Sequence, residues 1–280
     1  MEIIIPATVP PEKKDTYRKH YATITKETER LLLFAADQKM EHLNQDFFGP
    51  GLPPEINNPD HVFSIAAESN IGVFAAHLGL ISRYGPQYKS VNYLPKLDGR
   101  TNLPPGEPYS QQIWTVQDAL NIAQNGNLNI CGVGYTVYVG SEYERQMLTE
   151  AATIVKNAHA QGLLAILWMY PRGKQITNQL DANIIAGAAG LGASLGADFV
   201  KVNEPESGPQ SLRQAVDAAG NTKLLVSGGE TVKPEEIVER VKAQLEIGNV
   251  AGAAVGRNIF QHPFKEAVTI ANQLATLIYG

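Results

Sequence analysis

The sequence has little cysteine and no obvious metal-binding pattern. Its 280 residues include one cysteine, Cys131, so neither an intramolecular disulfide nor a cysteine-based zinc site can form. Cys131 stands in a strand-like apolar run and is expected to be a small buried residue. The six histidines include no pair at H-x-H or HExxH spacing. The sequence therefore predicts neither a disulfide framework nor a metal centre.

Long apolar runs and clusters of one charge are also missing. No stretch reaches the roughly 18 apolar residues of a membrane span, and the apolar run that starts at Met1 is too short for a signal peptide. The net charge is −5, without a long run of one sign. This argues against a nucleic-acid partner, because phosphate backbones bind clustered basic faces. We therefore expect a cytoplasmic protein with neither nucleic-acid nor membrane partners.

Short apolar runs recur along the chain with helical patterns between most of them. There are eight: Leu31–Ala35, Ile71–Ala76, Ser90–Leu94, Ile130–Val137, Leu163–Trp168, Phe199–Val202, Leu224–Ser227 and Ala251–Val255. Continuous apolar runs, rather than strict alternation, are typical of a parallel sheet covered by helices. At this length the pattern predicts one (β/α)8 TIM barrel domain over residues 1–280, with residues 1–30 as a helical extension that packs on it. A doubly wound open sheet is the alternative, but no GxGxxG motif follows the first run.

A lysine interrupts one of these apolar runs. Lys201 lies in Phe199–Val202, where burial is unfavourable for a charged amine unless it is paired or has lost its proton. An amine held neutral in such a place can attack a carbonyl carbon, so we expect Lys201 to form a Schiff base. The alternative is a structural lysine that is paired with a carboxylate or reaches water with its head group.

Two groups able to transfer protons are predicted to lie near this lysine. In a barrel, polar residues at the C-terminal ends of strands are the catalytic candidates. Asp37 follows the first run and Tyr170 follows the fifth. A carboxylate and a phenol can divide the proton transfers that Schiff-base chemistry requires. Trp168 shares a strand face with Tyr170 and is expected to line the same site, although it could instead simply fill the barrel top.

Groups suited to an anionic substrate also follow the strands. Two are cations, Lys96 after the third run and Arg172 after the fifth. The last two runs end in glycine-rich turns that contain Ser227, Gly228, Gly229, Gly256 and Arg257. These turns offer backbone N–H groups, a hydroxyl and a guanidinium at the place where barrels often bind phosphate. We predict that all of these residues bind a phosphorylated sugar.

Longer motifs around these residues resemble a known family. They are Phe34–Asn44, Gly79–Gly85, Lys96–Asn102, Gly132–Glu144, Leu167–Lys174, Ala197–Asn203 and Val255–Gln261. Together they resemble the class I fructose-bisphosphate aldolases of archaeal type, also called the DhnA type. The resemblance runs from about Leu31 to the C-terminus. One departure is the segment Lys96-Leu-Asp-Gly-Arg100, where relatives tend toward Lys-Leu-Asn-x-Lys.

The resemblance implies an activity and a role for each site residue. It implies a metal-independent aldolase that needs no cofactor and cleaves fructose 1,6-bisphosphate reversibly to dihydroxyacetone phosphate and glyceraldehyde 3-phosphate. Lys201 would form the Schiff base, with Asp37 and Tyr170 as acid and base and Trp168 beside them. Members of the family form large homo-oligomers, often decamers.

Two other functions stay open on the sequence. A relative could use the same lysine on another phosphorylated ketose or dione, as a transaldolase or a thiolase. A barrel of a different class could bind a sugar phosphate without catalysis. Because the lysine chemistry is shared among the relatives, Lys201 alone does not separate them.

Overall fold

Eight parallel strands close into a barrel in the computed structural model, which describes residues 3–280. They are β1 (Leu31–Ala35), β2 (Val73–His77), β3 (Asn92–Lys96), β4 (Gly132–Val139), β5 (Leu164–Pro171), β6 (Phe199–Val202), β7 (Lys223–Ser227) and β8 (Gly252–Val255). Each strand pairs with the next, and β1 pairs with both β2 and β8, so the sheet has no free edge. The predicted (β/α)8 barrel is therefore confirmed.

Helices surround the barrel and connect its strands. They are α1 (Lys14–Thr25), α2 (Gln38–Glu41), α3 (Asp60–Glu68), α4 (Leu78–Tyr84), α5 (Val116–Gly126), α6 (Glu144–His159), α7 (Ala182–Ser194), α8 (Leu212–Ala219), α9 (Pro234–Glu246), α10 (Arg257–Phe260) and α11 (Phe264–Tyr279). Short 3-10 turns span Pro11–Lys13, Pro54–Asn57, Gly85–Gln87 and Pro209–Ser211. In residues 3–280 no helix combines the length and apolar character that crossing a bilayer demands.

Three two-residue strands accompany the barrel. Asp98–Gly99 and Gln111–Gln112 pair antiparallel and form a small hairpin in the loop after β3. Asn129–Ile130 pairs with the start of β3 just before β4 begins. The hairpin shapes the loop that follows β3, on the side of the barrel where the C-terminal strand ends meet.

Both faces of the barrel strands are apolar, which explains the continuous runs in the sequence. Successive side chains of a strand point to opposite faces. Inward-facing residues such as Leu33, Ile166 and Leu225 pack together inside the barrel. Outward-facing residues such as Phe34 and Leu167 pack under the helices. Because helices cover the outside, neither face needs polar side chains.

Four strands, β2 to β5, end later than the apolar runs predict, and two of them, β3 and β5, carry predicted site residues. The third run was predicted to end at Leu94 and the fifth at Trp168, whereas β3 reaches Lys96 and β5 reaches Pro171. Pairing with neighbouring strands explains the difference, since Lys96 lies opposite His77 in β2 and Tyr170 opposite Tyr138 in β4. Backbone pairing tolerates polar side chains that hydrophobicity alone does not assign to a strand. Both residues are thereby held on the rigid barrel rather than on loops.

The opposite, N-terminal end of the barrel is closed by α1. Tyr21 stacks on Phe199 with ring centroids 5.5 Å apart, and the Tyr17 hydroxyl donates to the carboxylate of Asp198. Asp198 also accepts from the backbone N–H of Ala165 at 2.7 Å. Helix α1 thus contacts β6 at Phe199, two residues before Lys201. Residues 1 and 2 of the predicted N-terminal extension lie outside the described residues.

Candidate active site

The C-terminal ends of the strands surround a cavity of about 170 Å³. Most of the predicted site residues line it: Asp37, Trp168, Tyr170, Arg172, Lys201, Ser227, Gly228, Gly229, Gly256 and Arg257. They come from the ends of β1, β5, β6, β7 and β8, which are far apart in the sequence. Lys96 is placed differently and lies behind the lining residues Thr136 and Trp168.

Lys201 is buried at the base of this cavity. It is 4% exposed, and its Nζ lies 5.0 Å from the ring centroid of Trp168 and 5.9 Å from that of Tyr170. The pKa of Lys201 is lowered to about 8, mainly by burial; the charge of Asp37 opposes this shift and the charge of Lys96 adds to it. At pH 7 roughly a tenth of such an amine is neutral, against about one part in 2,500 at the ordinary value of about 10.4. Lys201 therefore has the properties of a nucleophile toward carbonyls.

Lys96 forms a buried ion pair beside this nucleophile. It is 1% exposed, its Nζ lies 2.8 Å from Oδ1 of Asp98, and it donates to Oγ1 of Thr136 at 2.7 Å. Its Nζ also lies 4.1 Å from the centroid of the Trp168 ring. Asp98 supplies the counter-charge that a buried ammonium needs. Substrate binding by Lys96 stays a prediction, since its contacts are with the protein.

Asp37 and Tyr170 line the same cavity as Lys201. Asp37 precedes α2, and its side chain makes no capping hydrogen bond to that helix within the described chain, so the carboxylate is free for other partners. Burial raises the pKa of Tyr170 well above its ordinary value, and the charges of Asp37 and Glu41 add to the effect. In the free protein Tyr170 is thus a protonated phenol, which suits it to donate a proton or a hydrogen bond.

Glu41 is among the polar residues that follow the first strand, but the sequence pattern gave it no role in the site. It lines the cavity, accepts from the Tyr138 hydroxyl at 3.0 Å and pairs with Arg172 at 3.2 Å. The guanidinium carbons of Arg172 and Arg100 lie 5.4 and 5.1 Å from the centroid of the Tyr138 ring. The available signal was spacing, because Glu41 follows Asp37 by four residues and such a pair shares one helix face. Two arginines therefore lie beside Tyr138, and one of them, Arg172, lines the cavity.

The turns after β7 and β8 form the other side of the cavity. Gly229 has φ +70°, a left-handed conformation that favours glycine. Arg257 donates to the carbonyl of Gly229 at 3.1 Å, and Ser227 donates to Oδ1 of Asn203 at 2.9 Å. At Gly256 an added Cβ would lie 2.4 Å from the carbonyl oxygen of Ala35, so a larger residue would displace β1. Glycine is therefore favoured at Gly229 by its backbone conformation and required at Gly256 by the approach to β1.

Titratable side chains elsewhere do not converge on a metal site. Among residues 3–280 no group of three or more His, Cys, Asp or Glu side chains is arranged to hold an ion. His42 borders the cavity, but its Nδ1 lies 2.6 Å from Asp46. The hydrogen bond that Nδ1 of His42 donates to the Asp46 carboxylate raises the pKa of His42 above its ordinary value. His42 is thus engaged in a local ion pair.

The comparisons with known proteins agree with this geometry. The chain is 44% identical over 276 residues to the fructose-bisphosphate aldolase/6-deoxy-5-ketofructose 1-phosphate synthase of Methanocaldococcus jannaschii, covering 98% of this chain and 89% of that protein. It is 33% identical over 250 residues to a class 1 fructose-bisphosphate aldolase of Thermoproteus tenax, covering 89% of each.

Solved structures give the same result. A fructose-bisphosphate aldolase from Slackia heliotrinireducens superposes with a TM-score of 0.96 at 42% identity, covering 99% of this chain and 90% of that one. An archaeal fructose-1,6-bisphosphate aldolase, whose catalytic lysine is covalently bound to the carbinolamine intermediate of its substrate, has a TM-score of 0.82 at 29% identity, covering 94% and 100%. Residues 31–262 match the model of the DeoC/LacD family aldolases. The chain therefore belongs to the DeoC/LacD family of aldolases.

Proposed function

We propose that the protein is a class I aldolase that reversibly cleaves fructose 1,6-bisphosphate to dihydroxyacetone phosphate and glyceraldehyde 3-phosphate. The observation that carries this proposal is Lys201, a buried amine with a pKa of about 8. It shares one cavity with a carboxylate, a phenol and two glycine-rich turns. Relatives at 33% and 44% identity that bear this activity in their names support it.

The first chemical step is the formation of the Schiff base. The neutral amine of Lys201 attacks the C2 carbonyl of the substrate and gives a carbinolamine, which loses water and leaves a positively charged iminium. This iminium accepts the electron pair of the bond that is later broken, so the lysine itself provides the electron sink. We therefore assign no metal and no further cofactor to the reaction.

Asp37 and Tyr170 serve the proton transfers around this iminium. Removal of the C4 hydroxyl proton breaks the C3–C4 bond, releases glyceraldehyde 3-phosphate and leaves an enamine on Lys201. Protonation of C3 and hydrolysis then release dihydroxyacetone phosphate. The positive iminium, absent from the free protein, favours ionisation of the nearby Tyr170 phenol. A phenol and a carboxylate in one cavity can thus exchange protons with the substrate in turn.

Two cationic regions hold the two phosphates. The C1 phosphate is assigned to the turns of Ser227–Gly229 and Gly256–Arg257, where a guanidinium and backbone N–H groups are available. The distal phosphate is assigned to Arg172, which lies beside the Tyr138 ring, as does Arg100. Binding at both ends places the bond to be broken beside Lys201 and converts substrate binding into orientation.

The proposed activity and the family resemblance also bear on the cellular location and the oligomeric state of the protein. Phosphorylated sugars carry charges that keep them from crossing a bilayer unaided, which supports a cytoplasmic location. The family resemblance supports a homo-oligomer, often a decamer in relatives. Sedimentation velocity on the purified protein tests the assembly, and a monomer at micromolar concentration would contradict it.

A second candidate function is a transaldol reaction on another phosphorylated ketose. The M. jannaschii relative is also named a 6-deoxy-5-ketofructose 1-phosphate synthase. Such a reaction would use the same enamine on Lys201 with a different acceptor aldehyde. Cleavage assays on purified protein distinguish the two, because a pure synthase would leave fructose 1,6-bisphosphate intact.

Covalent trapping tests the proposal most directly. Borohydride added with dihydroxyacetone phosphate should reduce the imine and leave a stable adduct on Lys201, located by mass spectrometry. The Lys201→Ala variant should trap nothing, and EDTA should leave both trapping and cleavage unchanged. Undiminished trapping in Lys201→Ala, or loss of activity in EDTA, would overturn the mechanism. A non-catalytic sugar-phosphate-binding barrel would form no adduct.

A further inference from the structure

A buried asparagine lies behind the turns assigned to the C1 phosphate. Asn258 is 1% exposed, belongs to α10 and does not line the cavity. Its Nδ2 donates to the carbonyls of Gly228 at 3.1 Å and Glu230 at 3.0 Å. Its Oδ1 accepts from the backbone N–H of Val232 at 2.8 Å. The side-chain amide of Asn258 therefore links every second residue after β7 (Gly228, Glu230 and Val232) to the turn after β8.

These hydrogen bonds fix the orientation of the peptide between Gly228 and Gly229. The carbonyl of Gly228 accepts from Asn258 and also from Nη1 of Arg240 at 3.0 Å. Neither donor lines the cavity. In a trans peptide the carbonyl and the following N–H point in opposite directions, so the N–H of Gly229 is directed away from Asn258 and Arg240. Within residues 3–280 this N–H has no hydrogen-bond partner.

We propose that Asn258 is the positioning residue of the phosphate site. It draws the carbonyls of Gly228 and Glu230 away from the cavity and so presents the N–H of Gly229 to the C1 phosphate. A carbonyl oxygen turned toward the cavity would instead repel that anion. An N–H group that is already oriented needs no rearrangement when the anion binds, which favours affinity. The inference rests on the proposed function, since it takes the phosphate of dihydroxyacetone phosphate as the ligand.

The side-chain chemistry explains why asparagine suits this position. A primary amide carries two N–H donors on one atom and an acceptor on the other. Asn258 uses both donors and the acceptor, so its amide is fully engaged although it is buried. Leucine matches its shape but offers neither a donor nor an acceptor. Serine is too short to reach all three backbone groups.

Comparing a phosphorylated with an unphosphorylated ketone separates the binding of phosphate from the reaction of Lys201. In Asn258→Leu and Asn258→Ser we measure the concentration of dihydroxyacetone phosphate that half-saturates borohydride trapping on Lys201, and repeat it with unphosphorylated dihydroxyacetone. We expect the half-saturating concentration of the phosphate ester to rise by about tenfold or more, while trapping of dihydroxyacetone stays as in the wild type. The serine variant leaves a smaller perturbation of the core should the leucine variant fold poorly.

A matched control uses another asparagine on the same barrel face. Asn178 also joins two loops, donating to Glu206 at 2.6 Å and accepting from the N–H of Leu180 at 2.9 Å. Asn178→Leu should leave the trapping of both ketones unchanged. Folded Asn258 variants with wild-type half-saturation, or with an equal loss for both ketones, would overturn the inference. Absence of any adduct in the wild-type protein would instead overturn the proposed function, and the inference with it.

Discussion

Lys96 and Lys201 hold their ammonium groups over the same indole, at 4.1 and 5.0 Å from the ring centroid of Trp168. Lys96 lies in an ion pair with Asp98, whereas Lys201 has no ion-pair partner in the described chain. A fixed positive charge beside a buried amine favours the neutral form of that amine. The two lysines therefore have different roles: Lys96 stays in its ion pair, and Lys201 is the nucleophile.

The pH dependence of cleavage tests this relationship. Because the neutral amine attacks, kcat/KM should rise as the pH passes through the Lys201 pKa of about 8. The double variant Lys96→Met/Asp98→Asn removes the buried ion pair. In this variant the rising limb of the pH profile of kcat/KM should move to higher pH by up to about one unit. Glu41→Gln removes a negative charge that raises the same pKa, so its limb should move to lower pH. If the rising limb stays at the wild-type pH in both the double variant and Glu41→Gln, the electrostatic role of these charges is contradicted.

The phenol of Tyr170 can be separated from substrate binding. Tyr170→Phe should lower kcat for cleavage by about 10²–10⁴-fold, the usual size of acid–base catalysis. Trapping of dihydroxyacetone phosphate on Lys201 should persist, because the ketone and the amine are still present. Tyr109→Phe is the control, since Tyr109 bonds to Glu150 at 2.6 Å and lies outside the cavity lining. Wild-type kcat in Tyr170→Phe would leave all proton transfers to Asp37.

Arg172 is predicted to act on the distal phosphate alone. Arg172→Met should raise KM for fructose 1,6-bisphosphate by about tenfold, because a charge-assisted contact to phosphate is lost. It should leave the half-saturation of trapping by dihydroxyacetone phosphate unchanged, since that ketone lacks the second phosphate. Lys174→Met provides a control two residues away, where the lysine pairs with Glu142 at 2.6 Å. An equal effect of Arg172→Met on both ligands would place this arginine at the C1 phosphate instead.

The network at the N-terminal end of the barrel should affect stability rather than catalysis. Tyr17→Phe removes a hydrogen bond to Asp198, whose carboxylate is buried and also lies 3.1 Å from His159. We expect the free energy of unfolding to fall by about 1–3 kcal/mol, the usual loss for a buried polar group left short of a donor. Denaturant unfolding measures this loss, and kcat should not change. Tyr84→Phe should have no effect, since Tyr84 stacks on Phe63 through its ring and phenylalanine keeps that contact.

The apolar runs and the strand ends could be predicted because each depends on local chemistry. A barrel strand is buried on both faces, so its apolar run is visible in the sequence. Functional side chains of a barrel follow its strands, which is how Lys201, Asp37 and Tyr170 were found. The exact ends of β3 and β5 were missed because pairing with β2 and β4 decides them.

The tertiary structure decided the partners of these residues. The hydrogen bond of Lys96 to Thr136, the contacts of Glu41 with Tyr138 and Arg172, and the hydrogen bond of Asn258 to the turn after β7 join residues from different strands and loops. None of these contacts is encoded by spacing along the chain. They arise because a closed barrel brings the ends of all its strands to one rim.

By itself the sequence determined the alternation of strands and helices, the absence of a disulfide framework, and a lysine set in an apolar strand. Only the tertiary structure decided that this lysine is 4% exposed and that its pKa falls to about 8. The physical reason is that a pKa depends on burial and on charges within a few ångströms. For Lys201 those charges belong to Asp37, Glu41, Lys96 and Arg257, which are near it only when the barrel is closed.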